Sequence, residues 1–341
     1  MKLWLSFAIG FPIAVVLGHH FIIVYPFARL ADLCSNARNY HATSGVINAI
    51  DHPFCFLVNV FTHAMHDSFG YELSWILLFF FGSVLTIMLV EGSRSGTNWI
   101  ISCVSLWGFI ANMIGISITL PLMWVPAFYY CYGDNITSAQ YSISASRLYA
   151  TLIAILMCYL LPTIFMLFGT IPYSPMESNV IALWQLAPLL LSPAHYIATW
   201  IFDKVKITDD KRKAVWRLYM PIGAFNAVIF YAACVRLKSK GLLNMATLVG
   251  IATLYKDEMD LTSLTLEQLG KLGATHVFLL DTVVTFGACC VWAALENGYK
   301  GLVVLLLSSI LAGPGTGLCI YAVYREENMM TKNSNNYKKE Q

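Results

Sequence analysis

The stretch "HVFLLDTVVTFGACCVWAALENG", residues 276–298, decides how this chain is read. Between His276 and Glu296 its one charged residue is Asp281, and an apolar run of this length is what a helix needs to cross about 30 Å of hydrocarbon. Windows of this kind recur along all 341 residues. The chain is 58% hydrophobic and only 12% charged, more apolar surface than one aqueous globule can hide. We expect an all-α integral membrane protein, one transmembrane domain over 1–341 with a polar C-terminal tail at 325–341.

The formal net charge of +2 and the scatter of basic residues through loops and tail exclude a nucleic-acid partner. Nine cysteines stand singly apart from Cys289-Cys290, with no CxxC pair, so neither a disulfide framework nor a zinc site is expected. The opening "MKLWLSFAIGFPIAVVLGHHFIIVYPF" outruns a signal-peptide core and lacks a small-residue cleavage site, so it reads as a first span.

Spans are expected near 3–27, 73–91, 99–128, 148–171, 180–202, 217–235, 274–295 and 301–324. "HPFCFLVNVFTHAMH" (52–66) is too short to cross and is expected to lie in the interface or re-enter. "GLLNMATLVGIATLY" (241–255) could be a ninth span. The loop "DKVKITDDKRKAVWR" (203–217) carries six Lys and Arg against none in "IPYSPMESN" (171–179), which makes it cytoplasmic. Eight spans would then leave the basic tail on the wrong side and nine would return it, so the count of eight or nine stays open. The sequon Asn135-Ile136-Thr137 shares the side of the 203–217 loop and should be unused. No internal repeat is visible, which speaks against transporters built on duplicated halves.

Asp281 lies roughly 12 Å along its span, too deep to snorkel to water. An ionised Asp at a helix centre costs about 2.5–3.5 kcal/mol on insertion scales, so it should face the bundle interior, neutral or hydrogen-bonded. A protonated, buried carboxyl is what general-acid catalysis needs. Helical spacing puts Thr285 and Trp292 on its stripe, with His276 and Phe278 nearby. The competing reading makes Asp281 packing glue for a neighbouring helix.

Other groups carry weaker signals. Glu91 can pair with Arg94, and with Asp203 and Glu296 it reads as an interfacial solvated charge. Asp51-His52 and "HAMHD" (63–67) resemble metal-ligand material but lack a third ligand, so no metal is expected. His195, Trp184 and Gln185 are candidate cavity residues, and Asp51 is carried with them. "GPGTG" (313–317) is no P-loop; Gly313 and Gly317 should make a kink and a close helix contact. Magnesium-binding DDxxD, DxDD, GxSxG and HExxH motifs are absent, so no cofactor is expected.

The blocks "IDHPFC" (50–55), "VPAFYY" (125–130), "YLLPTIFM" (159–166), "ALWQLAPLLLS" (182–192), "FLLDTVVTFGACCVWA" (278–293) and "GPGTGLCIYAVYREE" (313–327) stand in order. Together they resemble fungal membrane-bound terpene cyclases of the ascofuranone-cyclase type, which include indole-diterpene cyclases. The resemblance implies cyclisation of the prenyl-derived chain of a meroterpenoid or indole-diterpene precursor, started by protonating an epoxide or alkene, without metal, in the endoplasmic reticulum. The partners would be a lipophilic prenylated or epoxidised precursor and the bilayer. Leu279 and Leu280 depart from the polar or aromatic residues associated with that family beside the Asp, which leaves Asp281 without a visible tuning partner. The alternatives are a transporter binding a proton or solute at Asp281 and His195, and a non-catalytic scaffold.

Overall fold

The computed structural model describes residues 1–23, 34, 40–133, 142–169, 171–207, 209–255 and 261–339; the sequon at Asn135 lies outside them. Among the described residues every regular element is helical. We number α1 (Lys2–Ile23), α2 (Asn48–Met65), α3 (Ser68–Gly92), α4 (Val104–Ile114) and α5 (116–132, with a π-turn at Leu120–Trp124). There follow α6 (Ala145–Phe168), α7 (Pro175–Gln185), α8 (Leu191–Val205), α9 (Lys211–Ser239), α10 (Met245–Thr253), α11 (Leu266–Ala312) and α12 (Pro314–Lys339).

Among the described residues, five helices are long and apolar enough to cross a membrane, within α1, α3, α6, α9 and α11; the pair α7–α8, bent by 44°, makes a sixth if it counts as one span. The count falls short of the eight or nine expected at identifiable places. Helix α10 has nine residues, a rise of roughly 13 Å, and cannot be a ninth span. The apolar runs 99–128 and 301–324 are each broken at a glycine with positive φ, Gly115 (φ 95) and Gly313 (φ 87), a region that residues with a Cβ avoid.

Both breaks reverse the chain. Helix α4 runs antiparallel to α3, with Ile101 and Val104 against Gly92 and Gly108 against Leu85. After Gly115 the chain returns beside α11: Ser117 meets Asp281, Trp124 meets Trp292 (6.1 Å between centroids), and Tyr129 donates to Glu296 (3.1 Å). The excursion closes where it began, Tyr132 Oη lying 2.9 Å from Thr97 Oγ1 and donating to Glu91 O at 3.1 Å. The second hairpin leaves α11 at Gly298 (φ 62, ψ −156), turns at Gly313 and comes back as α12. Tyr321 Oη donates to Asn297 Oδ1 (3.0 Å) near its base, and Gly317 abuts Ser309 near its tip. Hydropathy alone reads two half-length helices as one span.

The bases of both hairpins meet in a buried ionic knot. Arg94 bonds Glu91 (2.7 and 2.9 Å) and Glu326; Arg325 bonds Glu91 (2.6 Å) and Glu296 (2.8 Å); Lys2 stands 3.5 Å from Glu296. Glu91 and Glu326 are 1% exposed, Arg94 and Arg325 3%. Glu91 does pair with Arg94, but Glu91 and Glu296 are not solvated interfacial charges. The ends of α1, α3 and α5 meet the kink of α11 at Gly298 and the middle of α12 there, and charges this deep persist only when each is paired. Arg325 and Glu326 therefore belong to the packed body, not to a polar tail.

The same end holds the 203–217 loop, since Trp216 Nε1 donates to Glu327 (3.0 Å) and Tyr149 Oη to Asp209 (2.6 Å). Lys2, the basic loop and α12 thus share one face, which removes the conflict behind the eight-or-nine count. At the other end Asp67 caps α3, accepting from Phe69 N (2.9 Å) and Gly70 N (2.7 Å), and His66 pairs with Glu177 (2.9 Å). Cys34 and Cys55 form a disulfide, Cα atoms 5.8 Å apart, against the expectation of none. Their 21-residue separation matches no motif that sequence reading could have flagged.

Candidate functional site

Asp281 sits in mid-helix on α11, buried, facing the tip of the first hairpin. Its Oδ1 accepts from Ser117 Oγ, and the Ser117 backbone N–H also points to the carboxyl group. That N–H belongs to the first turn of α5, where backbone donors have no partner within the helix and the dipole favours negative charge. Asp281 thus caps a helix from another element. Gly115 is the residue this geometry requires: beyond its positive φ, a Cβ there would stand 3.2 Å from Asp281 Oδ1 and 3.7 Å from Oδ2.

A wall of rings leads away from the carboxyl group. Phe278, three residues before it, meets Phe61 edge-on at 5.0 Å; Phe61 meets Trp184 at 5.3 Å, and Trp184 meets Tyr159 at 5.9 Å. Trp184 is oriented by its Nε1, which donates to Thr163 Oγ1 (2.9 Å). Asn112, three residues before the Gly115 turn, donates to the Gln185 carbonyl (3.2 Å) and fixes α7 against the hairpin tip.

Three side chains here have hydrogen-bonding capacity that the protein does not fill. Gln185 is 0% exposed, yet among the described residues neither its Nε2 nor its Oε1 has a partner; Thr285 Oγ1, one turn beyond Asp281, has none there, nor has Thr62 Oγ1, next to Phe61 in the chain. An unpaired buried amide or hydroxyl costs roughly 1–3 kcal/mol, so such groups mark a place built to receive a polar atom.

Of the residues singled out from sequence, Asp281 and Thr285 lie one turn apart on α11, and Trp184, next to Gln185 in the chain, joins that helix through the rings of Phe61 and Phe278. Trp292 does not: it lies about 16 Å further along α11, packed on Trp124, Phe128 and Tyr321, with the Arg325 guanidinium 4.8 Å from its centroid. His276 is buried on the α10 side, its Nδ1 2.8 Å from Ile251 O. His195 lies near the basic end, Nε2 3.1 Å from Arg147 O. Asp51 holds the turn before α2, accepting from Thr43 N (2.6 Å), Thr43 Oγ1 (2.9 Å) and Gly45 N (3.0 Å). His63 bonds Asn59 O (2.7 Å) while His66 stacks on Tyr173, so they do not converge. Burial drives the His63 imidazole below its ordinary range.

Ser117, Gly115 and Asn112 were missed. The signal lay in "ANMIGISITLP" (111–121), where an Asn, a Gly and a Ser interrupt an apolar run just ahead of Pro121. Two open cavities lie away from Asp281: one of 720 Å³ at the basic end and one of 340 Å³ at the other, between Asp67, Lys271 and Tyr255.

The family model of the CtvD domain matches residues 31–330, from the α1–α2 connection through the second hairpin. The chain belongs to the CtvD-domain family. No curated protein and no solved structure matches it. Membership makes the chain cyclase-like, of a type at work in fungal secondary metabolism, and its long apolar helices are those of a multi-pass membrane protein. A transporter finds no support. In this CtvD-domain chain the first glycine-broken helix end is already occupied by Asp281, where a transporter would present it to a solute.

Proposed function

We propose that this CtvD-domain protein is an integral-membrane terpene cyclase, and that Asp281 donates the proton that starts ring closure on the prenyl-derived chain of a meroterpenoid or indole-diterpene precursor. The observation that carries the reading is the carboxyl group of Asp281 at the N-terminus of α5, one turn from the buried Thr285 hydroxyl and three residues after Phe278, whose ring meets Phe61.

With Oδ1 engaged by Ser117, Oδ2 carries the acid proton. Transfer of that proton to an epoxide oxygen breaks its bond to the more substituted carbon; the electron pair of a neighbouring alkene then closes the new carbon–carbon bond. An alkene substrate would take the proton on carbon. Loss of a proton from the final cation ends the sequence. The Asp281 carboxylate left behind keeps the Ser117 hydroxyl, the Ser117 N–H and the positive end of α5, so its charge is stabilised as it forms. The faces of Trp184, Phe61 and Phe278 can each stabilise a nearby cation by about 0.5–2 kcal/mol, and the apolar bundle keeps out water that would trap it.

Two signals support the reading of an endoplasmic-reticulum location. Basic residues favour a cytoplasmic knot end, and the bridge between Cys34 and Cys55 of α2 suits an oxidising compartment. The test is incubation of microsomes containing the protein with epoxidised and plain prenylated precursors, read by mass spectrometry. Cyclised products are expected, and Asp281→Asn should abolish them. Undiminished cyclisation in that variant would refute the acid assignment, and no product from a broad precursor panel would refute the class.

A further inference from the structure

The 720 Å³ cavity at the basic end has no part in the chemistry above, yet it is of a size that holds a small molecule. It lies between the loop after α3 (Ser93, Ser95, Thr97), Ser102 ahead of α4, Arg147 on α6, and Ser192, His195, Thr199 and Asp203 on α8. Thr199 Oγ1 is buried against it without a partner. His195 Nε2 faces the Arg147 carbonyl, which can only accept, so in the neutral ring Nε2 bears the proton and Nδ1 is an acceptor. Hydroxyls both donate and accept, so this lining matches hydroxyl and carbonyl groups on a ligand.

The charges select against an anion. Arg94 is bound to Glu91 and Glu326, Arg147 Nη1 donates to Ser93 O (2.6 Å), and Asp203 adds a carboxylate to the lining. The exposed ring of Tyr196 offers a flat surface at the same cavity, while one face of Trp200 carries the Lys204 ammonium, 3.7 Å from its centroid.

A seam joins this cavity to Asp281. Ser105 exchanges hydrogen bonds with Ser192 (2.9 and 3.2 Å), Gly108 abuts Pro188, Asn112 bonds the Gln185 carbonyl (3.2 Å), and Gly115 touches Asp281. From Ser102 to Gly115 it is about 20 Å along the helix. Leu106, Leu189, Leu190 and Ile114 are exposed along it, an apolar track with polar stations at either end.

We propose that this cavity is a second binding site, for the uncharged, oxygen-bearing ring head of an amphiphile whose apolar tail follows the α4 seam to Asp281. The proposal rests on the cyclase reading for what happens at the tail, and concerns binding alone. Its test is therefore equilibrium binding of radiolabelled methyl 3-farnesyl-2,4-dihydroxybenzoate to the full chain in phosphatidylcholine nanodiscs, with farnesol as headless control. Thr199→Val, which removes one hydroxyl and keeps the shape, should weaken the ester about fivefold. Ser102→Trp, on an exposed position at the lining, should abolish its binding, while farnesol binds all three proteins alike. Asp281→Asn should bind the ester as the parent does, so a failed acid assignment would leave this result standing. Equal affinity of the parent and both cavity variants would overturn the proposal. So would displacement of the ester from the parent by a few mole per cent phosphatidylinositol, which would make the cavity a lipid-headgroup site.

Discussion

The two hairpins are built alike and end differently. Each rises from the ionic knot, turns at a glycine with positive φ, and presents a fresh helix start to a polar side chain from a passing helix. At the second hairpin that side chain is Asn226, whose Oδ1 fills the space beside Gly315 and whose Nδ2 donates to Ser83 Oγ (3.2 Å) and Ile222 O (2.9 Å). At the first it is Asp281, held by Ser117 alone among side chains. The amide serves as interhelical glue. The carboxyl group occupies the equivalent position with a titratable oxygen left over; unpaired Thr285 stands one turn on from it along α11, as unpaired Ser309 stands beside Gly317 at the second hairpin. One architecture yields a packing joint and a candidate reaction centre, and the difference is one functional group.

The sharpest way to break this contrast is Asp281→Asn, which makes the first hairpin resemble the second. Cyclisation should fall at least about 100-fold, measured as product per folded molecule, while the melting temperature stays near that of the parent because an amide oxygen still accepts from Ser117. Next comes Ser117→Ala, which removes the hydroxyl that stabilises the carboxylate; turnover should drop about tenfold with KM little changed, in initial-rate kinetics. Gly115→Ala and Gly313→Ala form a matched pair. Each should cost about 1–3 kcal/mol in denaturation for the strained backbone, yet only Gly115→Ala should lower turnover of the folded fraction. Smallest in activity is Asn226→Leu, expected to cost about 1–2 kcal/mol of stability through the lost glue with turnover unchanged. A loss of turnover there as large as in Ser117→Ala would show the hairpins to be equivalent.

The membrane class, the depth of Asp281 and its stripe to Thr285 were legible because each depends on composition or on spacing within one helix. Trp184 and Gln185 were legible as an odd pair in an apolar run. The partner of Asp281 was not. Leu279 and Leu280 are silent because the tuning groups come from 164 residues away in sequence. The hairpins were hidden for a related reason: a hydropathy window sums apolar character and is blind to the direction in which the chain leaves a glycine. Arg325 was readable as a charge, but its partners Glu91 and Glu296 are set by the convergence of helix ends. Trp292 shared the stripe of Asp281 and still belongs to the knot, since a common face says nothing about height along a long helix.

The ionic knot also fixes an order of assembly. Glu91, Arg94 and Glu296 are synthesised before Arg325 and Glu326, which complete their pairing. While the ribosome is still making the second hairpin, those earlier helix ends hold charges that the finished bundle buries, and they need water or the translocation machinery to solvate them. The bundle can close only after the return limb has threaded back to the surface from which it set out, which makes α12 the bolt of the structure.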